Sequence, residues 1–203
     1  NTAESDHRIG AVGPKIYFYD DPKRLWSFGE FISLKTGRAH SLGYNEIDKG
    51  QFEKNFIVQV YPTAILVKRK VLNMIGGYDN MFFAVYCDSD FCVRISNAGY
   101  IIVSVPKAKI WHKVIKPSDV LYVDGKATNK ELQELGFISP LKAFLSARNR
   151  IIFMRKNSKP HWFLAFLIFF LPVYTVYYTL KIIKNKRTDI LKAYWQGLWE
   201  GIK

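Results

Sequence analysis

The sequence predicts an α/β layered domain followed by a hydrophobic membrane helix. Two observations place the layered domain. Runs of β-branched and aromatic residues alternate with short helices stopped by glycine as far as about residue 116. A third observation places the membrane helix: Trp162 to Leu180 carries no charge over about nineteen residues, close to the length that crosses a bilayer.

Taken in order, Ile9 to Tyr19 reads as a strand, punctuated by Gly10, Gly13 and Pro14, and Asp20-Asp21-Pro22 as a turn. Leu25 to Leu34 is a second aromatic strand run, and Lys35 to Lys54 a polar, exposed excursion. Phe56 to Val67 is a third strand region interrupted by Pro62. Lys68 to Ile75 is a short helix ended by Gly76-Gly77. Asp88 to Ala98 is a second helix, with Asp88 suited to its first turn and Gly99 to its C-terminal cap. Tyr100 to Val105 is a strand closed by Pro106, and Ala108 to Val114 continues extended with His112 on it. Pro117 to Gly136 reads as a polar loop and Pro140 to Lys156 as a basic helix. The expected divisions are 1–120, a connector and basic helix over 121–160, the apolar helix over 161–183, and a basic amphipathic tail over 184–203.

The apolar run has two readings, a membrane helix and a buried core helix. Basic residues at both flanks, Trp162, Tyr174, Tyr177 and Tyr178 at interfacial positions, and Trp195 and Trp199 in the tail favour the membrane. Pro172 sits within the run and would bend a helix there, so a re-entrant or interfacial helix competes with a full span.

The formal net charge is +13, a balance that suits an anionic partner. Much of the charge brackets the apolar run between Lys142 and Arg187, which points to a lipid surface. No signature of a nucleic-acid-binding module is visible, so no nucleic-acid partner is expected. Cys87 and Cys92 suggest no disulfide framework and lack the further soft ligands a zinc site needs; they read as buried thiols. The polar opening without Met reads as a fragment whose natural start lies upstream.

Chemistry concentrates between Gly76 and His112. Asp88 and Asp90 superficially form an Asp-x-Asp. Residues two apart on a helix point about 200° away from one another, so they cannot both grip one ion. Asp90 and Arg94 are spaced to pair along the helix, which makes both structural supports. Asp88 at the helix start is either a cap or a catalytic base, favoured as an anion by the helix dipole. His112 is either a structural histidine beside Trp111 or a ligand for a divalent cation.

The run Tyr86-Cys87-Asp88-Ser89-Asp90-Phe91-Cys92-Val93-Arg94, with Asn97-Ala98-Gly99-Tyr100, Val105-Pro106 and Trp111-His112, resembles the C-terminal half of a family 2 glycosyltransferase of the rhamnosyltransferase-like group. Ile9 to Ile16, Leu25-Trp26-Ser27 and Ala147-Arg148-Asn149-Arg150 extend the resemblance over most of the chain. It implies part of a GT-A (nucleotide-diphospho-sugar transferase, Rossmann-like) domain and inverting transfer from a nucleotide-sugar donor to a glycan or lipid-linked acceptor. Carried over by position, Asp88 matches the general base and His112 the histidine that helps hold Mn²⁺ or Mg²⁺ on the donor diphosphate. Tyr61, Thr63 and Trp111 fall at positions implied to meet substrate. The implied location is a membrane, with the catalytic domain on its cytoplasmic side.

Three departures stand out. Cys87 replaces the glutamate that usually precedes the base, and Tyr61-Pro62 stands where Thr-Gly is usual, leaving donor and acceptor geometry open. The family's Asp-x-Asp metal motif and nucleotide-binding strands lie upstream of the pattern, so the chain alone is expected to be inactive. The reading from another class is a non-catalytic membrane-associated module, a truncated remnant or partner subunit.

Overall fold

A computed structural model of the chain describes residues 2–114, 121–123, 126–128, 131–132 and 136–203. It is a mixed α/β structure with one long apolar helix towards its C-terminus, and it divides into two compact units. The first comprises Asn1–Ser33, Arg38–Met81 and Cys87–Val114; the second comprises Leu34–Gly37, Phe82–Tyr86 and Ile115–Lys203.

The first unit is built on two neighbouring strands, β1 (Ile9–Phe18) and β7 (Ile101–His112), which run parallel from Ile9 opposite Ile101 to Phe18 opposite His112. Antiparallel strands flank them. β2 (Asp21–Ser27) and the two-residue β6 (Leu66–Val67) pair with β1, and β5 (Phe56–Val58) pairs with β7. β3 (Glu30–Ile32) and β4 (Ala39–Ser41) form a separate antiparallel pair. Helix α1 (Arg69–Ile75) ends at Gly76, and α2 (Cys87–Asn97) precedes β7.

Nearly every residue of β1 is buried, as expected of a strand covered on both faces. Gly13 is required there by space. A Cβ at this position would lie 2.2 Å from the Tyr61 ring, which occupies the room a side chain would take. The turn expected over Asp20-Asp21-Pro22 is tighter than anticipated, because β2 already begins at Asp21. Pro106 does not close a strand either. β7 runs through it, and the ladder to β1 shifts register between the Pro14–Val105 and Lys15–Lys109 pairs. That irregularity accommodates a residue with no N–H to give.

In the second unit, α3 (Pro140–Asn157) packs along α5 (Thr188–Ile202). Gly197 lies against Phe144 and Gly201 against Arg148, so the two helices run in the same sense. A Cβ on Gly197 would sit 2.3 Å from the Phe144 carbonyl oxygen, so the two backbones approach closely there. Ser139 caps α3 by accepting from the Lys142 N–H at 3.2 Å. Arg148-Asn149-Arg150 holds the 82–86 segment. Asn149 donates to the carbonyls of Val85 at 2.8 Å and Phe83 at 3.4 Å, and Arg150 Nε donates to the Tyr86 hydroxyl at 3.1 Å.

Between them in sequence, α4 (Pro160–Lys184) is one continuous helix of 25 residues, about 37 Å long at 1.5 Å per residue. Only 11% of its most apolar stretch is buried, unlike a core helix. Residues Phe166–Phe170 form a π-turn immediately before Pro172, with the Leu171 N–H returning to the Phe166 carbonyl. This local rewinding lets the helix continue past a residue that lacks an N–H. The loop expected over Pro117–Gly136 falls partly outside the described residues; the described part includes an antiparallel pair, β8 (Leu121–Val123) with β9 (Lys126–Thr128).

Candidate active site

Asp88 lies in the first turn of α2, one residue after the helix begins at Cys87. Its Oδ2 accepts the Thr63 backbone N–H at 3.3 Å and its Oδ1 accepts the Tyr78 hydroxyl at 3.1 Å. Its side chain is partly exposed, whereas Asp90, two residues on, is fully buried. Asp90 Oδ2 takes the Arg94 Nε at 2.9 Å, and the rest of that guanidinium binds the carbonyls of Ile75 and Gly77 at 2.7 Å each. Arg94 therefore ties α2 to the C-terminal end of α1, and the two aspartates face different surroundings.

The turn that offers Thr63 to Asp88 is unusual. Pro62 C=O accepts from the Ala64 N–H at 2.7 Å, and Thr63 between them has φ of 67°. This is a γ-turn in its rarer, positive-φ form, which costs a β-branched residue some strain. It leaves the Thr63 N–H free to meet a carboxylate. Tyr61 just before it is fully buried, with its hydroxyl on the Pro14 carbonyl and its N–H on Cys92 Sγ at 3.3 Å. Its side chain packs the core of the sheet and is not open to solvent.

Tyr78 stacks on Phe91 with ring centroids 4.7 Å apart. Burial, together with the charge and hydrogen bond of Asp88, pushes its phenol above the usual value, so it remains a donor. Cys92 is buried and its thiol is pushed up to about 12, by burial first and by the Asp88 and Glu30 charges second. It is an inert packing thiol; Cys87 is half-buried.

Glu30 escaped the sequence reading. Burial pushes its carboxyl up to about 7, with the charge of Asp88 adding to the effect and a hydrogen bond to Ser41 opposing it. The signal was available: an isolated carboxylate in the run Leu25-Trp26-Ser27-Phe28-Gly29-Glu30-Phe31-Ile32 is as costly as those of α2.

His112 ends β7, opposite Phe18, while Asp88 is held by Thr63 and Tyr78. The imidazole meets the Trp26 ring edge-on with centroids 4.7 Å apart, and burial lowers its pKa, favouring the neutral form. Its Nδ1 is buried without a hydrogen-bond partner among the described residues. A neutral imidazole with an unclaimed ring nitrogen fits a role as a metal ligand. No group of three His, Cys, Asp or Glu side chains able to hold a metal occurs among the described residues. Trp111 beside it is half exposed and stacks on Tyr17 at 5.9 Å.

A cavity of about 550 Å³ opens beside the γ-turn, lined by Thr63, Ala64, Leu66, Val12, Pro14 and Val105 among others. Thr63 thus borders an apolar recess on one side and holds Asp88 through its backbone. The arrangement offers a positioned carboxylate, open enough to take a proton from a bound hydroxyl.

No protein-family model matches this chain. It is 24% identical over 95 residues, 47% of its length, to the dTDP-rhamnosyl transferase RfbF of Shigella flexneri. Over 111 residues, 51% of its length, it is 30% identical to an uncharacterized protein, y4gI, of Sinorhizobium fredii. The matches cover 29% of the first relative and 12% of the second, so the chain spans a minor part of each.

Proposed function

We propose that the chain carries part of a membrane-attached glycosyltransferase with a GT-A domain, moving a sugar from a nucleotide-sugar donor to a glycan or lipid-linked acceptor with inversion. The observation that carries this reading is the Asp88 carboxylate, partly exposed at a helix start and held by Thr63 N–H and the Tyr78 hydroxyl. The similarity to a dTDP-rhamnosyl transferase supports it.

In this mechanism Asp88 accepts the proton of the acceptor hydroxyl as its oxygen attacks the anomeric carbon. The bond from that carbon to the diphosphate oxygen breaks, and its electron pair leaves with the nucleoside diphosphate. A single base on the face opposite the leaving group inverts the anomeric centre, the logic of inverting glycosidases with a sugar hydroxyl in place of water. Two donors on Asp88 fix its orientation without consuming all of its acceptor capacity. Trp111 offers an exposed ring face to the substrate, and Thr63 carries the turn at the cavity edge. His112 would contribute one ligand to a divalent cation, whose chemistry when bound is to neutralise charge on the departing diphosphate. The apolar helix α4 would hold this chemistry at the cytoplasmic face of a membrane, where a lipid-linked acceptor is found.

The test is transfer from labelled nucleotide sugars, dTDP-rhamnose first, by membranes containing the intact enzyme of which the chain is proposed to form part. The expected result is cation-dependent incorporation into a lipid or glycan fraction, with the product anomer opposite to that of the donor. Retained configuration, or no incorporation from any donor, would contradict the proposal.

A further inference from the structure

Helix α4 carries two unlike faces. One rests on protein. Phe166, Leu171 and Ile182 are buried along it, with Tyr174 and Tyr178 half-buried between the last two. From Leu171 onward these residues are three or four apart, the spacing of one helical face. The step from Phe166 to Leu171 is five, the reach of the π-turn, which returns Leu171 towards the face of Phe166. The other face is apolar and open. Leu164, Ile168, Phe169, Val173, Val176 and Leu180 are each more than half exposed, and no charged residue occurs between Lys159 and Lys181.

The groups against the protein-facing side include charges. From α3, the Arg155 guanidinium lies over the Phe163 ring at 6.0 Å, and that of Arg150 over the Tyr174 and Tyr178 rings at 4.9 and 5.4 Å. Arg150 also donates to the Tyr178 hydroxyl at 3.4 Å. Tyr194 of α5 meets the Tyr178 ring with centroids 5.9 Å apart, and Glu131 accepts from Lys181. From Phe163 to Lys181 these contacts run about 27 Å along the helix at 1.5 Å per residue. The hydrocarbon layer of a bilayer is about 30 Å thick. Standing upright in it, α4 would draw the part of α3 that carries Arg150 into that layer, where an ionised side chain is costly. Lying flat, the helix gives lipid its open stripe and keeps the arginines out of the hydrocarbon.

We propose that α4 lies in the plane of the membrane as a half-embedded helix, its open stripe in an anionic lipid surface and its other face on α3 and α5. Charge selects this occupant. Between residues 140 and 203, twelve lysines and arginines stand against two acidic residues, Asp189 and Glu200. That balance draws an apolar stripe to anionic headgroups and opposes covering it with a second copy of the same basic unit. Both ends of α4 then stay on one side of the bilayer. The inference rests on the reading of the chain as membrane-attached and is independent of the chemistry at Asp88.

Two measurements on the full chain test it, with circular dichroism confirming that each variant is folded. In the first, a nitroxide is attached to single cysteines replacing Leu164, Ile168, Val173, Val176 and Leu180 in a Cys87→Ala background. The remaining Cys92 is fully buried. Electron paramagnetic resonance then reads the depth of each label in vesicles of phosphatidylglycerol and phosphatidylcholine. All five labels are expected in lipid at one shallow depth, about 5 to 10 Å below the headgroup boundary. A profile that deepens to about 15 Å at mid-helix and rises again describes a crossing or re-entrant helix and would overturn the proposal. Labels shielded from lipid, the outcome if a second copy covers the stripe, would overturn it too. In the second, flotation with the same vesicles compares the wild type with Val173→Asp/Val176→Asp. The double variant is expected to bind tenfold less or weaker, and the wild type to bind less to phosphatidylcholine alone. Undiminished binding in either comparison would contradict the proposal. Neither measurement needs turnover, so failure here is distinguishable from failure of the glycosyltransferase reading.

Discussion

Lys15 shows how much a single residue can require of its neighbours. It is fully buried in β1, and its ammonium reaches Asp48 Oδ2 at 2.9 Å and Glu53 Oε1 at 2.8 Å, while the Tyr17 hydroxyl donates to the same Asp48 oxygen at 2.5 Å. Burial alone would raise the Asp48 carboxyl, but hydrogen bonds from Tyr17 and Lys15 outweigh it and pull the group down to about 2. A carboxyl depressed in the folded state lends stability that is present above its unfolded value near 4 and lost as pH falls towards 2. Asp48→Ala is therefore expected to lower stability at neutral pH by about 3 kcal/mol, because it leaves a buried ammonium less well paired. The same variant should lose less stability than the wild type between about pH 4 and 2. Urea unfolding across pH measures both effects. At this scale the sequence was partly legible. Asp88 and Gly99 announced the ends of α2, and the spacing of Asp90 and Arg94 made their contact geometrically available. Glu30 carried only the local signal of a carboxylate in an apolar run; its pairing with Val60 joins segments far apart in sequence, which no local pattern encodes.

At the scale of elements, the strands followed from β-branched and aromatic content, whereas their limits followed from tertiary pairing. Pro106 stopped the expected strand because an isolated strand gains nothing from continuing through a proline. In the sheet, β1 continues to offer partners as far as Phe18, and β7 extends with it to His112. The seam between α3 and α5 went unread for a similar reason. Gly197 and Gly201 weaken a lone helix, and their value appears only when another backbone lies against them. Gly197→Val is expected to cost about 1 to 3 kcal/mol, since its side chain would drive into the Phe144 carbonyl. Gly77→Ala, where a Cβ would meet nothing within 4 Å, should stay within about 0.5 kcal/mol of the wild type. Thermal unfolding of the two variants side by side reads the difference. The π-turn before Pro172 belongs to the same lesson: a proline in a helix marks a place where the winding changes and need not end the helix.

At the scale of the whole molecule, the chain divides into two compact units. One unit carries Asp88 and Asp90 on a helix alongside a mixed sheet, and the other carries an apolar helix whose surface is largely uncovered. The net charge of +13 suits an anionic partner. Asp88 at the start of α2 is the point on which the functional account turns. The most direct test is the rate of sugar transfer by Asp88→Asn in the intact enzyme of which the chain is proposed to form part, measured in membranes beside donor binding by the same variant. Asparagine keeps the shape and, with its amide oxygen towards the Thr63 N–H, can donate its NH2 to the Tyr78 hydroxyl, but it cannot take the acceptor's proton. The account predicts transfer reduced by about 10²-fold or more, with donor affinity essentially unchanged. Turnover equal to the wild type would remove Asp88 as the base and with it the central claim.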